Sequence, residues 1–279
     1  MRISTTLFLL FTLLQSLPSE MSGQGTERYV RFETSQGPRW GLLEGDRVLQ
    51  LTAPPYEAHE TLGEAQPLSN LTLLAPVSPS KVIAVGLNYQ SHLGEREPAP
   101  YPGLFAKYPT CIVGPEAEVI RPPDSRNLHY EGEMVLVMGK EASHVSVEDA
   151  ESYVFGITAG NDISERDWQR DDLQWFRAKA SDTFGPVGPV LVRGLNPNNL
   201  LLQTRVNGEV RQSGQTRDLL FGVAEIVSYV SRYVTLFPGD IIFTGTPGST
   251  QALEPGDVVE VELEGVGILR NSIRAGRER

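Results

Sequence analysis

The sequence contains a single cysteine, and this scarcity excludes a disulfide framework within the chain. Cys111 precedes Ile112 and Val113, which predicts a buried strand residue rather than a reactive thiol. Basic residues are also few, because 24 Lys and Arg stand against 35 Asp and Glu for a net charge of −11. This balance argues against nucleic acid binding through a broad basic surface. A Gly-x-Ser-x-Gly elbow and a glycine-rich phosphate loop are absent too, which leaves serine-hydrolase and nucleotide-binding functions without support.

A long apolar run is missing as well. The run from Leu7 to Leu14 follows Arg2 as in a secretory signal, but it is too short to span a bilayer and no small-x-small cleavage site follows it. Met21 then opens a segment typical of a cytosolic start. We expect residues 1–26 to be a leader or a mis-assigned start without ordered structure, and the protein to be cytoplasmic, with export as the alternative.

Glycine and proline are abundant, with 27 and 20 residues, and predict many turns and short strands. We expect an α+β, β-rich fold with two parts, a small N-terminal β domain over residues 27–75 and a catalytic domain over residues 76–279. In the first part, residues 28–51 read as hairpins, and Thr52 to Ser69 reads as a linker. One helix is predicted from Leu219 to Tyr233, where apolar residues recur at helical spacing. Strands of the second part are predicted at 81–86, 134–138, 154–159, 187–192, 202–206, 240–244 and 258–263.

Two similar Pro-Gly-Asp units, ending in Asp240 and Asp257, each precede a predicted strand. Pro followed by Gly is typical of a type II turn. We therefore assign these two aspartates a structural role and no catalytic one.

Acidic side chains mark a candidate site in the second part. Glu131 and Glu133 lie two residues apart at the start of an apolar strand, so that both side chains point to the same face. Two such charges away from water need a proton or a cation between them, and Mg²⁺ commonly binds carboxylates. An acid/base dyad and a solvated strand end remain alternatives. Asp162 ends another strand, before a helix with a predicted N-cap at Ser164 and with Glu165 and Asp167 in its first turn.

Basic groups offer further candidates. His92 and Glu95 would share one helical face, where the carboxylate could orient the ring as a water-activating base, although a surface His beside a Glu is commonplace. Lys107 and Lys179 have mainly apolar or small neighbours. Either lysine could anchor a substrate carboxylate or extend from a loop.

Six segments in order resemble the fumarylacetoacetate hydrolase family in its short bacterial form, and residues 28–74 resemble the small N-terminal domain of some members. The resemblance implies a mixed β-sandwich roll, usually a homodimer, with metal ligands Glu131, Glu133 and Asp162. It implies His92 and Glu95 as the water-activating pair and Lys179 as the lysine beside the substrate, with Lys107, Arg166, Gln169 and Thr246 at pocket positions. Because long eukaryotic members place a further aspartate where this chain has Asn88, we expect Mg²⁺ or Mn²⁺ rather than Ca²⁺. The segments are VGLNYQSHLGE, LFAKYPT, HYEGEMVLVMGK, GITAGNDISERDWQ, AKASDTFGPVGP, and NGEVRQSGQTRDLLF with LFPGDIIFTGTPGS.

The resemblance also implies an activity. We expect a metal-dependent hydrolase that cleaves a C–C bond of a small 2,4-dioxo acid, of the acylpyruvate or fumarylpyruvate type, through a metal-bound enolate. The same chemistry would serve an isomerase of 2-hydroxyhepta-2,4-diene-1,7-dioate or a decarboxylase of oxaloacetate. The alternative of another class is an exported, non-catalytic β-rich binding protein. We expect a small 2-oxo or enol acid as ligand, and neither nucleic acid nor a membrane as partner.

Overall fold

The computed structural model describes residues 25–277 of the chain. The leader-like segment therefore lies outside the described residues, apart from its last two positions. Within the described part, no helix has the length and apolar character needed to cross a bilayer.

Strands dominate the described chain, as the abundance of turn residues predicts. The helices are short, and the longest of those described, at Val223–Ser231, has nine residues. The helices are α1 (Gln90–Leu93), α2 (Val147–Ala150), α3 (Arg166–Asp171), α4 (Phe176–Ala180) and α5 (Val223–Ser231), with 3-10 turns at Leu68–Asn70, Pro109–Cys111, Glu151–Tyr153 and Thr216–Asp218. The strands are β1 (Glu27–Phe32), β2 (Arg39–Glu44), β3 (Arg47–Leu51), β4 (Thr61–Pro67), β5 (Leu73–Leu74), β6 (Val82–Gly86), β7 (Gly103–Lys107), β8 (Ile112–Val113), β9 (Glu118–Arg121), β10 (Leu128–His129), β11 (Gly132–Met138), β12 (Val154–Asn161), β13 (Ser164–Glu165), β14 (Gly185–Arg193), β15 (Leu201–Val206), β16 (Glu209–Gln215), β17 (Ile241–Phe243), β18 (Val258–Leu263) and β19 (Gly267–Ala275).

The larger sheet runs through both predicted parts of the chain. Its order is β4-β3-β2-β1-β14-β12-β11-β17-β6-β7, with β5 added on β1 and β8 on β14. The N-terminal strands join it because β1 pairs antiparallel with β14. Most pairs are antiparallel, while β17 and β6 run parallel. The N-terminal strands thus extend the sheet that the second part of the chain forms.

A second sheet, ordered β16-β15-β18-β19-β9, packs against the middle of the first. Strand β11 is buried along its whole length and separates two apolar clusters. Met134 and Leu136 face the cluster shared with α5 and the second sheet, whereas Val135 and Val137 face the cluster shared with β6 and β17. The fold is therefore the mixed β-sandwich roll that was predicted, with a strand covered on both faces at its centre.

Four local predictions need correction. The expected linker contains β4, which pairs with β3 although its sequence, TLGEAQP, has little strand propensity. Cys111 is buried as expected, but it ends a 3-10 turn that Pro109 begins. The N-cap of α3 is Glu165 and not Ser164, because the Glu165 carboxylate accepts from the backbone N–H of Trp168.

The predicted helix Leu219–Tyr233 is shorter at both ends in the structure. Helix α5 begins only after Gly222, because Asn88 binds the preceding backbone. The backbone N–H of Leu220 donates to the Asn88 carbonyl, and that of Phe221 donates to Asn88 Oδ1. Asn88 is fully buried in this role and lies among backbone partners.

Candidate active site

Three buried carboxylates converge where β11 begins and β12 ends. The two strands run antiparallel, with Glu133 opposite Gly160. Asp162 follows β12, and its backbone N–H donates to the carbonyl oxygen of Glu131 over 2.8 Å. Glu131, Glu133 and Asp162 are only 4, 2 and 1 % exposed. Each offers a carboxylate oxygen, and these three oxygens lie within 4.8 Å of one another.

Cationic side chains of the protein itself neutralise two of these carboxylates. Lys179 Nζ lies 2.5 Å from Glu131 Oε2 and 2.6 Å from Asp162 Oδ2. Lys107 Nζ lies 2.6 Å from Asp162 Oδ1, and Arg166 Nη2 lies 2.5 Å from Glu131 Oε1. We expected a proton or a bound cation to offset the acidic cluster, and the chain supplies part of that charge instead.

Glu133 is the carboxyl that these cations do not reach. Among residues 25–277, no Lys, Arg or His forms an ion pair with it, and its Oε2 accepts from the Gly245 backbone N–H over 2.6 Å. Burial, together with the charges of Asp162 and Glu131, raises the pKa of Glu133 well above its usual range. Burial also acts to raise the pKa of Glu131, but Lys179 and Arg166 outweigh it and lower that pKa.

The cluster could hold a divalent metal ion. Carboxylate oxygens are the hard ligands that Mg²⁺ and Mn²⁺ prefer. A cation among the three side chains would offset the Glu133 charge, which the described part of the chain leaves without a cationic partner. The donor set and the missing charge therefore both fit a small divalent ion.

His92, on α1, approaches the cluster at Glu131. Its Nε2 lies 3.7 Å from Glu131 Oε1, and its Nδ1 lies 2.6 Å from the carbonyl oxygen of Gly248. The structure does not bring Glu95 into contact with this ring. Helix α1 ends before Gly94, which turns the chain at a φ of +68°, so Glu95 lies beyond the helix and is exposed. The Gly248 carbonyl holds the ring in place of the expected carboxylate.

A cavity of about 690 Å³ opens onto the cluster. Of the remaining predicted site residues, His92, Lys179, Arg166, Gln169 and Thr246 line it.

Lys107 does not line the cavity, contrary to the expectation of substrate contact. Its side chain is completely buried, and the ammonium donates to Asp162 and to the carbonyl oxygen of Lys179. Lys107 therefore fixes the carboxylate and the lysine from behind. This arrangement could not be predicted from the sequence, because Lys107 ends the edge strand β7, far from both partners along the chain.

Comparison with known proteins identifies the family of this chain. Residues 81–274 match the family described as fumarylacetoacetate (FAA) hydrolase C-terminal. The chain belongs to the fumarylacetoacetate hydrolase family. Residues 27–76 match a second family, Rv2993c-like, N-terminal, so this member carries both segments.

Relatives of similar length are found in bacteria and in mammals. Protein Rv2993c of Mycobacterium tuberculosis is 40% identical, over 88% of this chain and 97% of its own. The human mitochondrial oxaloacetate tautomerase FAHD2A is 42% identical, over 95% of this chain and 97% of its own. A crystal structure of 2-hydroxyhepta-2,4-diene-1,7-dioate isomerase from Mycobacterium marinum superimposes with a TM-score of 0.84 at 37% identity, covering 90% of this chain and all of that one. Cytoplasmic location stays a prediction for this family member.

His129 was missed in the sequence, although it lines the cavity of this family member. Its Nδ1 lies 2.8 Å from Thr250 Oγ1, and its Nε2 lies 2.8 Å from Asn127 Oδ1. Burial, aided by the charge of Arg166, lowers the pKa of His129 to about 4. A signal for His129 was present in the sequence. His129 lies two residues before Glu131, so the strand alternation that places Glu131 and Glu133 together would put it on the same face.

Proposed function

We propose that this protein is a divalent-cation-dependent tautomerase or isomerase of small 2-oxo acids, with oxaloacetate as the first substrate to test. The observation that carries the proposal is the buried cluster of Glu131, Glu133, Asp162 and Lys179 at the base of the cavity. An enolate develops negative charge on its oxygens, and a site for it needs fixed positive charge away from water.

The names of the relatives favour proton transfer over bond cleavage. One is an oxaloacetate tautomerase and another is a 2-hydroxyhepta-2,4-diene-1,7-dioate isomerase. Both reactions relocate a proton beside a carbonyl or enol group and break no C–C bond. The shared fold alone would not decide between these reactions, since one fold serves many of them.

The acidic cluster would hold Mg²⁺ or Mn²⁺ through Glu131, Glu133 and Asp162. Such an ion, when bound, supplies Lewis-acid stabilisation of negative charge on the substrate oxygens. Lys179 adds a second positive charge at the same place, since its ammonium is buried within hydrogen-bond distance of two of the carboxylates. Lys107 keeps Asp162 and the Lys179 backbone in position from the protein side.

His92 is the group that we assign to move the proton. The Gly248 carbonyl oxygen can only accept a hydrogen bond, so the Nδ1 of His92 carries the hydrogen and Nε2 keeps the lone pair. Nε2 faces the cluster and would take a proton from the substrate carbon next to the 2-oxo group. The electron pair of that C–H bond forms the C=C bond of the enolate while the π pair of the C=O bond moves onto the oxygen. That oxygen then takes up the proton that Nε2 carries, and the reverse steps regenerate the keto form.

The test follows enol-to-keto conversion of oxaloacetate, and deuterium uptake at the carbon beside the 2-oxo group, in the presence of Mg²⁺, of Mn²⁺ or of chelator. We expect acceleration that chelator abolishes. His92→Ala should slow it by roughly 100-fold or more, as is usual for loss of an acid–base group. Glu209→Gln, a change on the exposed face of β16, serves as the control and should leave the rate unchanged. Absence of acceleration in the wild-type protein would refute the proposal.

Hydrolysis of a C–C bond is the second candidate, and the position of His92 favours it specifically. The same Nε2 could take a proton from water that attacks the carbonyl two carbons from the 2-oxo group. Acylpyruvates incubated with the protein would then yield pyruvate and a carboxylic acid in equal amounts. Direct identification of products separates the candidates, because tautomerisation releases no fragment.

We also propose that the protein acts as a homodimer. Three large apolar side chains, Tyr108, Leu173 and Phe176, are exposed in the single chain, and the rings of Tyr108 and Phe176 pack 5.2 Å apart. Exposed apolar groups of this size are typical of interaction surfaces. Light scattering after gel filtration should give twice the chain mass of 30.7 kDa, and a mass of one chain would contradict the proposal.

A further inference from the structure

We infer that His129 is a positioning residue, which sets the orientation of the Arg166 guanidinium through the hydroxyl of Thr250. The inference rests on the proposed function, since it assigns Arg166 to hold an anionic oxygen of the substrate. It concerns a hydrogen-bonded chain that runs from the surface of α3 to the acidic cluster.

The outer end of the chain is fixed by a carboxylate. Asp167 Oδ1 lies 3.3 Å from Asn127 Nδ2, and a carboxylate oxygen accepts only. The Asn127 amide is thereby oriented with its carbonyl oxygen toward His129, at 2.8 Å from Nε2. Because that oxygen also accepts only, His129 Nε2 carries the hydrogen.

The same order of donors and acceptors continues from His129 to Arg166. With its hydrogen on Nε2, the neutral ring of His129 has a lone pair on Nδ1, which accepts from the Thr250 hydroxyl over 2.8 Å. The hydroxyl has then spent its only hydrogen, and its oxygen accepts from Arg166 Nη2 over 2.9 Å. Each donor in the chain is matched by one acceptor.

The consequence lies at Arg166. One hydrogen of Nη2 goes to Thr250 and the other to Glu131 Oε1, while Nη1 donates to Gln169 Oε1 over 2.8 Å. Three of the five guanidinium N–H groups are thus hydrogen-bonded to Thr250, Glu131 and Gln169. These three bonds fix the plane of the guanidinium. Its Nε–H and its second Nη1–H have no acceptor within the described residues, so that either can donate to an anionic oxygen of a ligand in the cavity that Arg166 lines. Loss of the Thr250 acceptor would remove one of the three bonds that fix this plane, and the Arg166 guanidinium could then rotate.

The backbone around His129 is held independently of its side chain. Strand β10 pairs with β13, which places His129 opposite Ser164, and a further bridge joins His129 to Ala252. Replacement of the imidazole should therefore leave the local chain path intact. This separation makes a positioning role distinguishable from a structural one.

The test compares three variants, His129→Phe, His129→Asn and Thr250→Val. Asn keeps an acceptor near the place of Nδ1, whereas Phe keeps the bulk and removes the acceptor. We expect His129→Phe to raise the KM for oxaloacetate at least 10-fold with kcat within threefold of wild type, and His129→Asn to stay within threefold in both. Thr250→Val should reproduce the effect of His129→Phe, and the double variant should add less than threefold to it. His59→Asn, in the loop between β3 and β4, is the matched control.

Binding of oxalate, a planar dianion, provides a readout that does not need turnover. Calorimetry with Mg²⁺ present should show at least a 10-fold weaker Kd for His129→Phe and less than threefold for His129→Asn. An unchanged KM and Kd in His129→Phe, or equal losses in the Phe and Asn variants, would overturn the inference. If the Kd values for oxalate follow this pattern but the wild-type protein does not tautomerise oxaloacetate, the proposed function fails and the positioning role stands. Wild-type protein that does neither overturns both.

Discussion

Glu133 differs from its two neighbours in what opposes its charge. Lys179 contacts both Glu131 and Asp162, while Glu133 has, within residues 25–277, only the Gly245 backbone N–H as partner. Its raised pKa has burial as the main cause, followed by the two acidic neighbours. A group in this state costs stability when ionised and gains most from a bound cation. Removal of the Glu133 charge should therefore weaken metal binding strongly and change the stability of the metal-free protein less.

Glu133→Gln tests this asymmetry. The amide keeps the shape and an acceptor for Gly245 but removes the charge. We expect Mn²⁺ affinity to fall by at least about 100-fold, since loss of even an outer partner of a metal ligand commonly costs about 10- to 100-fold. The Tm of the metal-free protein should be unchanged or higher. Calorimetric titration with Mn²⁺ and thermal unfolding provide the two measurements, and unchanged affinity would exclude Glu133 as a ligand.

At the residue scale, the sequence predicted what strand alternation and strand ends determine. Glu131 and Glu133 share a face because they lie two apart, and Asp162 reaches them because β11 and β12 pair antiparallel. Lys107 and Glu95 could not be placed in this way. The position of Lys107 depends on how an edge strand packs behind the cluster, and that of Glu95 depends on where a four-residue helix ends.

At the element scale, two similar turns differ in how they are used. Asp240 is completely buried and accepts from both backbone and side chain of Ser80, from Lys81 N and Nζ, and from Phe237 N. Asp257 occupies the same place in its turn but is half-buried, with bonds from Glu254 N and Asn207 Nδ2. The Pro-Gly-Asp pattern predicts a structural role for both aspartates, and Asp240 is more deeply buried and accepts more hydrogen bonds than Asp257.

Asp240→Asn and Asp257→Asn form a matched pair. An amide at Asp240 places its NH₂ group against buried donors, which should lower the free energy of unfolding by about 2–4 kcal/mol. The same change at Asp257 should cost about 1 kcal/mol or less, because the site is partly solvated. Urea unfolding measures both. Equal losses would mean that burial is not what distinguishes the two turns.

Helix and strand ends were the least predictable features, and each has a local cause. The apolar stripe of α5 was evident, but the sequence does not show that Asn88, more than a hundred residues earlier, binds the backbone just before it. The strand β4 was missed for a related reason. Its residues are mostly exposed and carry Gly, Glu and Pro, so only the pairing with β3 makes it a strand.

At the scale of the whole molecule, the N-terminal strands and the second part of the chain share one sheet and two apolar clusters. Tyr56 lies at this junction. Its ring packs at 5.7 Å from that of Trp40, in β2, and at 6.1 Å from that of Phe155, in β12. Burial, with a smaller contribution from Glu57, raises the pKa of Tyr56 to about 12. The hydroxyl of Tyr56 therefore reports on whether the junction is closed.

The stability of the junction should depend on alkaline pH. In the unfolded chain the Tyr56 phenol ionises near its usual pKa of about 10, whereas in the folded protein it stays protonated up to about pH 12. The unfolded state thus loses the proton first, and the contribution of Tyr56 to stability, complete below pH 10, is lost as pH rises from 10 to 12. The expected loss is about 2 kcal/mol by pH 12. Tyr56→Phe removes this ionisation, so its free energy of unfolding should decline less steeply than that of wild type over the same range. Between pH 7 and 9 the free energies of unfolding of the two proteins should differ by a constant amount. Curves that stay parallel up to pH 12 would show that Tyr56 ionises freely in the folded protein and that the junction opens without unfolding.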